Sequence, residues 1–253
     1  MINLEAIRDK FRPFLMELGE FLKTASNFDI EMKSSKIDFV TSIDKECEEK
    51  IIKFIQTNFA SFSILSEESG EIKGSSPWTF VIDPIDGTTN FIHRYPIYSI
   101  SIGLKKDDET MLGIVYLPLL GFFFHAIKGS GAFLNEQRLS VSLTSSLDKA
   151  LISTGFPYSR ATYNPNLKYF NKIINKIAGI RRSGSAAADL CFLAAGFCDG
   201  YFEFCINEWD YIAGELILSE AGGHVEHIKL EKDIMFFYTN SKIDSWLKEA
   251  LFS

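Results

Sequence analysis

No stretch of the 253-residue chain reaches the roughly 18 continuous apolar residues of a membrane-spanning helix. The opening M-I-N-L-E-A-I-R-D-K-F has no basic segment followed by an apolar one, so it does not read as a secretory signal, and the cytoplasm is the expected location. Cysteine is scarce. Of the four, at 47, 191, 198 and 205, no two have the short spacing of a paired zinc ligand. The even steps between Cys191, Cys198 and Cys205 invite a metal reading, but an expected change from helix to strand would scatter the sulfurs, and reduced, mostly buried thiols are expected instead. His224 and His227 read as strand or loop positions. Positive charge is also short: 26 basic against 33 acidic side chains leave a net charge of -7, which argues against a surface that coats nucleic acid. No internal repeat or low-complexity linker divides the chain.

What is present is enough apolar material, 46% of residues with 23% charged, for one large core or two closely packed halves. Ile7, Phe11, Phe14, Leu15, Leu18 and Leu22 recur at helical steps. A second amphipathic helix is expected from Ser42, with Ser at the cap, Asp44 in the first turn and an apolar face through Ile51, Ile55 and Phe59. Residues 63–65, 79–83, 97–104, 111–117 and 121–127 read as strands of an antiparallel sheet. Beyond about residue 145 strands and helices alternate: strands at 150–154, 179–182 and 200–204, helices at 166–178, 185–197 and 209–221, then a closing strand and helix. The fold class is α+β: residues 1–145 form a half of sheet and long helices, residues 146–253 an α/β half, in one compact unit with a cleft between them. Gly121-F-F-F-H125 is apolar on both faces, which fits either a second subunit or burial within the chain.

The segment D-P-I-D-G-T-T-N-F, Asp83 to Phe91, follows the apolar run Trp78 to Ile82. Pro84 holds Asp83 extended, so Asp83 ends a strand and Asp86 points back from the turn. Two carboxylates can then face one spot, as Mg²⁺ and other hard cations require. Gly87 permits close backbone approach, and the N–H groups of Gly87 and Thr88 can hold an anion. Asp, Pro and Gly are also turn formers, so this segment alone fits a plain turn equally well. Two further acidic sites bear on the choice. Glu67 and Glu68 in L-S-E-E-S sit just after a strand, where paired carboxylates need a positive balance. Asp210 opens the helix of E-W-D-Y-I-A-G, a position that a helix dipole would also favour.

These pieces resemble the inositol monophosphatase family of Mg²⁺-dependent, lithium-sensitive phosphatases. The resemblance runs through K-S-S-K-I-D-F-V-T-S-I-D (33–44), S-E-E-S (66–69), V-I-D-P-I-D-G-T-T-N-F-I-H (81–93), I-R-R-S-G-S-A-A-A-D-L (180–190) and W-D-Y-I-A-G-E-L-I-L-S-E-A-G-G (209–223). It implies the layered αβαβα sandwich of sugar phosphatases and two to three Mg²⁺ ions per site. Glu67, Asp83 and the carbonyl of Ile85 would bind the first ion; Asp83, Asp86 and Asp210 the second; Glu67, with waters, a third. Asp44 and Thr88, with Glu67, would form the catalytic group that readies a metal-bound water for attack without a covalent phosphoenzyme. Gly87, Thr88, Gly184, Ser185, Ala187, Glu203 and Asp210 would bind substrate. Lys33 matches a loop that closes over the site, and Arg181 and Arg182 flank the pocket.

The resemblance further implies a phosphate monoester as substrate. Thr89-Asn90-Phe91 after the shared core, and Glu203 as an acceptor for a ring hydroxyl, point to inositol 1-phosphate or a similar polyol phosphate; fructose 1,6-bisphosphate and NADP are the alternatives. A bacterial branch of the family binds the transcription machinery and modulates antitermination, which makes a non-catalytic binding role the reading from another class. A homodimer is expected, with no membrane and no direct nucleic-acid partner. The chain departs from many relatives after Gly223, where the glycine-rich turn before the last strand is missing.

Overall fold

The computed structural model describes residues 2–26, 28–33, 39–158 and 160–253; residues 34–38 of the K-S-S-K-I-D piece lie outside the described residues. Helix α1 (Leu4–Thr24) turns Ile7, Phe11, Leu15, Leu18 and Leu22 inward, and the Asn3 side chain caps it by accepting from the Ala6 N–H at 3.0 Å. Helix α2 (Ser42–Asn58) is capped by Thr41 and not, as expected, by Ser42. Thr41 keeps an extended backbone, so its hydroxyl meets the N–H groups of Ile43 and Asp44 while the Asp44 carboxylate reaches back to the Thr41 N–H. The remaining described helices are α3 (Thr88–Ile92), α4 (Asn166–Ile173), α5 (Ala186–Ala194), α6 (Glu208–Glu220) and α7 (Asp244–Phe252). Both α4 and α5 stop short of their expected ends at 178 and 197. For α5 the stop is Gly196, whose left-handed backbone (φ 73°) cannot continue a helix.

Among the described residues β1 (Ile30–Met32) and β2 (Phe39–Thr41) form a small antiparallel pair. An eight-stranded sheet follows, built from β3 (Ser63–Ser66), β4 (Gly70–Ile72), β5 (Trp78–Asp86), β6 (Ser99–Lys106), β7 (Glu109–Leu117), β8 (Phe122–Ile127), β9 (Gly131–Leu134) and β10 (Gln137–Arg138). Its order is β10-β9-β8-β7-β6-β5-β3-β4, antiparallel throughout except that β3 runs parallel to β5. Strand β5 was expected to end at Asp83 but continues to Asp86. The register slips between Asp83 and Asp86, so Pro84, which has no N–H to give, falls in the irregularity and removes no bond from the regular ladder.

The second sheet comprises β11 (Leu151–Thr154), β12 (Gly179–Arg181), β13 (Gly200–Phe204), β14 (His224–Lys229) and β15 (Ile234–Thr239), ordered β12-β11-β13-β15-β14. Parallel pairing of β11 with β12 and β13 gives way to antiparallel pairing of β13 with β15 and of β15 with β14, so a hairpin stands where a single closing strand was expected.

The layers follow from where the apolar faces are buried. Helices α1 and α2 cover the outer face of the large sheet, α5 and α6 fill the space between the sheets, and α4 and α7 cover the far face of the second. The chain is thus an α+β fold in αβαβα layers. Helix α6 lies directly on β7: a Cβ on Gly113 would stand 2.5 Å from the Ala213 carbonyl oxygen. That close seat carries the start of α6, and with it Asp210, to the large sheet. On β8, Phe123 enters the core under α1 and Phe124 the core between the sheets, so this doubly apolar strand is covered within its own chain. No described helix is long and apolar enough to cross a membrane.

Candidate active site

Strand β5 ends in a cleft of about 760 Å³, open mouth included, between the large sheet and the C-terminal layers. Glu67, Asp83, Ile85, Asp86, Gly87, Thr88, Gly184, Ser185, Glu203 and Asp210 all line it. Two expected site residues do not: Asp44 lies behind Thr88, and Ala187 reaches the site only through its backbone.

Each carboxylate on the sheet side has one oxygen fixed by a nearby donor. Asp83 accepts from the Ile85 N–H at 2.9 Å, which folds the D-P-I corner back on itself. Asp86 accepts from the Ser185 hydroxyl at 2.7 Å and the Ala187 N–H at 2.8 Å, joining the sheet to the start of α5. Asp210 accepts from the Asn207 N–H at 2.6 Å at the start of α6. Glu67 and Glu68 share the ammonium of Lys33, which lies 2.7 Å from Glu67. The turn carrying them is held by the Ser69 N–H donating to Glu48 at 3.0 Å.

Thr88 donates its hydroxyl to Asp44 at 2.8 Å or to the Ile85 carbonyl at 3.2 Å, and Asp44 also accepts from the Thr41 N–H at 2.8 Å. The α2 cap and the Thr88 contact therefore meet on one buried carboxylate, 1% exposed. Gly87 takes the left-handed backbone that the turn from β5 into α3 demands (φ 100°), and a Cβ there would press on the Gly184 carbonyl at 3.1 Å.

Burial and crowding disfavour charge on these acids. Asp83 is held well above the ordinary carboxylate range, first by burial and then by Glu67, Asp86 and Asp210 around it. Asp210 is raised likewise by burial and by Asp86. Burial lifts Glu67 to about 7 against the pull of Lys33, and Asp86 to about 6 against its hydrogen bonds from Ser185 and Ala187. Burial also raises Asp44, opposed by Thr41 and Thr88. Burial alone would lower Lys33; Glu67 and Glu68 outweigh it and keep the ammonium charged.

The donor set is all oxygen, negative and short of positive charge, which fits hard divalent cations. Among the described residues no three acidic, His or Cys side chains are arranged to hold an ion as they stand. Lys33 occupies Glu67, and Asp83, Asp86 and Asp210 each have one oxygen turned to a protein donor, so a cation would replace the ammonium at Glu67 and use the remaining oxygens.

The opposite wall is different. Glu203 accepts from the Tyr201 hydroxyl and lies flat against Gly155, where a Cβ would overlap its carboxylate at 1.9 Å. Burial, eased by Tyr201 and Arg182, lifts it to about 7. Arg182 lines the cleft, whereas the Arg181 guanidinium turns back to the Ile180 carbonyl at 2.9 Å. Asn90, read in the sequence as part of a substrate-narrowing motif, spends its amide on the carbonyls of Ile97 at 2.5 Å and Ser183 at 2.7 Å. It clamps α3 to the loop before α5.

Sequence reasoning missed Gly155 and Asp189, both of which line the cleft. Gly155 gives a signal only as a glycine just after a strand; Asp189 gives one as a lone acid in the apolar turn A-A-A-D-L. Of the four cysteines, Cys47, Cys191 and Cys198 are buried and Cys205 is exposed, and none is bonded to another. His224 and His227 both lie on β14, away from the cleft.

Known proteins resemble this chain in sequence and fold. The family model described as "Inositol monophosphatase family" matches residues 5–245. A Pasteurella multocida protein named "Nus factor SuhB" is 44% identical over 190 residues, 74% of this chain and 71% of its own. The Synechocystis "Inositol-1-monophosphatase" is 42% identical over 228 residues, 88% of this chain and 79% of its own. The solved structure of inositol monophosphatase from Anabaena superposes with a TM-score of 0.86 at 35% identity, covering 99% of this chain and 96% of that one. With the match running from α1 into α7 and taking in both walls of the cleft, the chain belongs to the inositol monophosphatase family.

Proposed function

We propose that the chain is a Mg²⁺-dependent phosphomonoesterase that hydrolyses inositol 1-phosphate or a related polyol phosphate. The observation that carries this reading is the pairing of two walls in one cleft: crowded acids at Glu67, Asp83, Asp86 and Asp210, facing a fixed hydroxyl acceptor at Glu203.

Glu67, Asp83 and the Ile85 carbonyl would hold one ion, Asp83, Asp86 and Asp210 a second, and Glu67 a looser third. Bound there, the ions would supply a water of lowered pKa and neutralise the leaving oxygen. The protein's own part begins with Thr88. Its hydroxyl donates to Asp44, which leaves an oxygen lone pair to accept a proton from the attacking water. Asp44, raised by burial, then takes the proton that Thr88 passes on. The N–H groups of Gly87 and Thr88 would orient the phosphoryl oxygens as the charge shifts. Gly184 and Ser185 shape the middle of the cleft, and Glu203 accepts hydrogen bonds from hydroxyls of the leaving alcohol.

Phosphate release from inositol 1-phosphate, fructose 1,6-bisphosphate, NADP, adenosine 3′,5′-bisphosphate and histidinol phosphate, with and without Mg²⁺, tests the reading. Turnover of the inositol ester that requires Mg²⁺ and disappears in Asp210→Asn supports it. Preference for fructose 1,6-bisphosphate or NADP would move the substrate within the family; no turnover of any ester would refute the reading. Four thiols without a disulfide suit a reducing, cytoplasmic setting.

The 44% identity to a protein named as a Nus factor favours a second reading, binding to the transcription machinery in an antitermination role. Capture of transcription factors by Asp83→Asn as well as by the unaltered chain would establish that role as separate from catalysis.

A further inference from the structure

We propose that Asp189 is a positioning residue for Asp86, acting through Ser183 and Ser185. The inference rests on the reading above only in taking Asp86 as a metal ligand.

Asp189 lies in the first turn of α5 among Ala187, Ala188, Leu190 and Cys191, all buried, and is itself 3% exposed. A carboxyl in such a place is costly unless its hydrogen bonds do something an apolar residue could not. Its Oδ2 receives the Ser183 hydroxyl at 2.7 Å. The Ser183 oxygen in turn receives the Ser185 N–H at 3.2 Å, and the Ser185 hydroxyl donates to Asp86 at 2.7 Å. Behind Asp189 stands the hydroxyl of Ser153 on β11, a second hydrogen-bond partner. The chain of contacts runs from the second sheet, through α5, to an acid on the large sheet.

Geometry explains why the loop needs this hold. Gly184, between the two serines, has a left-handed backbone (φ 95°), and just beyond it the Ser185 oxygen caps α5 by receiving the Ala188 N–H at 3.2 Å, so the turn that aims this cap depends on what holds Ser183. From the front, Asn90 grips the Ser183 carbonyl at 2.7 Å; from behind, Asp189 grips its hydroxyl. With both ends of Ser183 held, the Ser185 hydroxyl and the Ala187 N–H are aimed at one oxygen of Asp86, which leaves the other for a cation. Burial keeps Asp189 protonated up to about pH 8, so it offers one acceptor and one donor, the same pair that an asparagine amide offers.

The test measures Mg²⁺ binding calorimetrically in the substrate-free protein, with thermal melts in chelator, for the unaltered chain, Asp189→Ala, Asp189→Asn, Ser183→Ala and the Asp189→Ala/Ser183→Ala double variant. The expected result is Mg²⁺ binding weakened about 10-fold in both alanine variants. The double variant is expected to be no worse than either alone, and Asp189→Asn to bind close to wild type. The substrate KM at saturating Mg²⁺ is expected to stay unchanged. A lower melting temperature with unchanged Mg²⁺ binding would overturn the proposal, as would an asparagine variant as damaged as the alanine one. Should Asp189→Ala fail to fold, unchanged Mg²⁺ binding by Ser183→Ala is decisive against it. If Mg²⁺ affinity follows the expected pattern while the unaltered chain hydrolyses no phosphate ester, the positioning role stands and the phosphatase reading falls.

Discussion

The two walls of the cleft are both acidic but solve the burial of acid in opposite ways. Glu203 and Asp189 on the C-terminal side are met by neutral hydroxyls of Tyr201 and Ser183, partners that satisfy a carboxyl without calling for a cation. Glu67, Asp83, Asp86 and Asp210 on the sheet side crowd one another, and of the four Glu67 is paired with Lys33. A satisfied acid reads neutral hydroxyls; a frustrated group of acids waits for positive charge.

The sharpest way to break this comparison is Asp83→Asn, which keeps shape and removes one charge. Hydrolysis is expected to fall on the order of a thousandfold, about 4 kcal/mol of transition-state stabilisation. The chelated protein is expected to melt at a higher temperature than wild type, because Asp83 is repelled by Glu67, Asp86, Asp210 and Asp44. Activity assays beside calorimetric melts in chelator check both; a variant that loses stability as well as activity would show that the sheet-side acids are not frustrated.

The pH dependence of stability separates the walls next. Glu67 is raised from 4.5 to about 7 and Asp86 from 3.8 to about 6, so the folded chain binds protons more tightly than the unfolded one. Stability from these groups is then fully present below about pH 4 and is lost as pH rises through about 6 to 7. In chelator, denaturation midpoints are expected to fall across that window. Saturating Mg²⁺, which binds the ionised forms, is expected to flatten the slope; identical slopes with and without Mg²⁺ would count against cation binding by these acids.

On the other wall the expected effect is smaller and confined to the substrate. Glu203→Gln should raise KM for a polyol phosphate about 10-fold, in line with a charged hydrogen bond of about 1.5 kcal/mol, and leave 4-nitrophenyl phosphate hydrolysis unchanged. Gly155→Ala, whose methyl would fall on the Glu203 carboxylate and displace it, should reproduce that pattern without removing a polar group. Kinetics on the two esters decide it: equal losses on both would place Glu203 on the side of the chemistry.

The comparison also explains what could be read in the sequence. Asp83 and Asp86 are legible because one strand end and one proline bring them together locally. The layered fold followed from the resemblance, and the strands and helices from their periodicity. Contacts made across layers left little trace. Gly155 matters because Glu203, 48 residues later, lies against it, and Asp189 because a serine across a loop meets its carboxyl. The parallel pairing of β3 with β5 was hidden for the same reason, since neither strand names its neighbour. Asn90, legible as a motif residue, did not show in the sequence that its amide holds the backbone on either side of the site.

Thr41 offers the finest cut, because it belongs to neither wall and touches the chemistry only through Asp44. Two adjacent hydroxyl residues begin α2, and the one that caps it also orients a buried acid: the Thr41 N–H donates to the same Asp44 oxygen that faces away from Thr88. Thr41→Val keeps the branched side chain and the N–H but removes the hydroxyl, which receives the Ile43 and Asp44 N–H groups and itself donates to the Asp44 carboxylate. A loss of about 1 kcal/mol in folding stability is expected from the cap. Because the backbone N–H still holds Asp44 and Thr88 still reaches it, kcat is expected to drop less than about 10-fold, within the range of a weakened proton acceptor. Denaturant titration beside kcat measured at saturating Mg²⁺ gives both numbers. A kcat loss approaching that of Asp83→Asn would mean that the hydroxyl of Thr41, and not the contact with Thr88, is what readies Asp44 to take the proton.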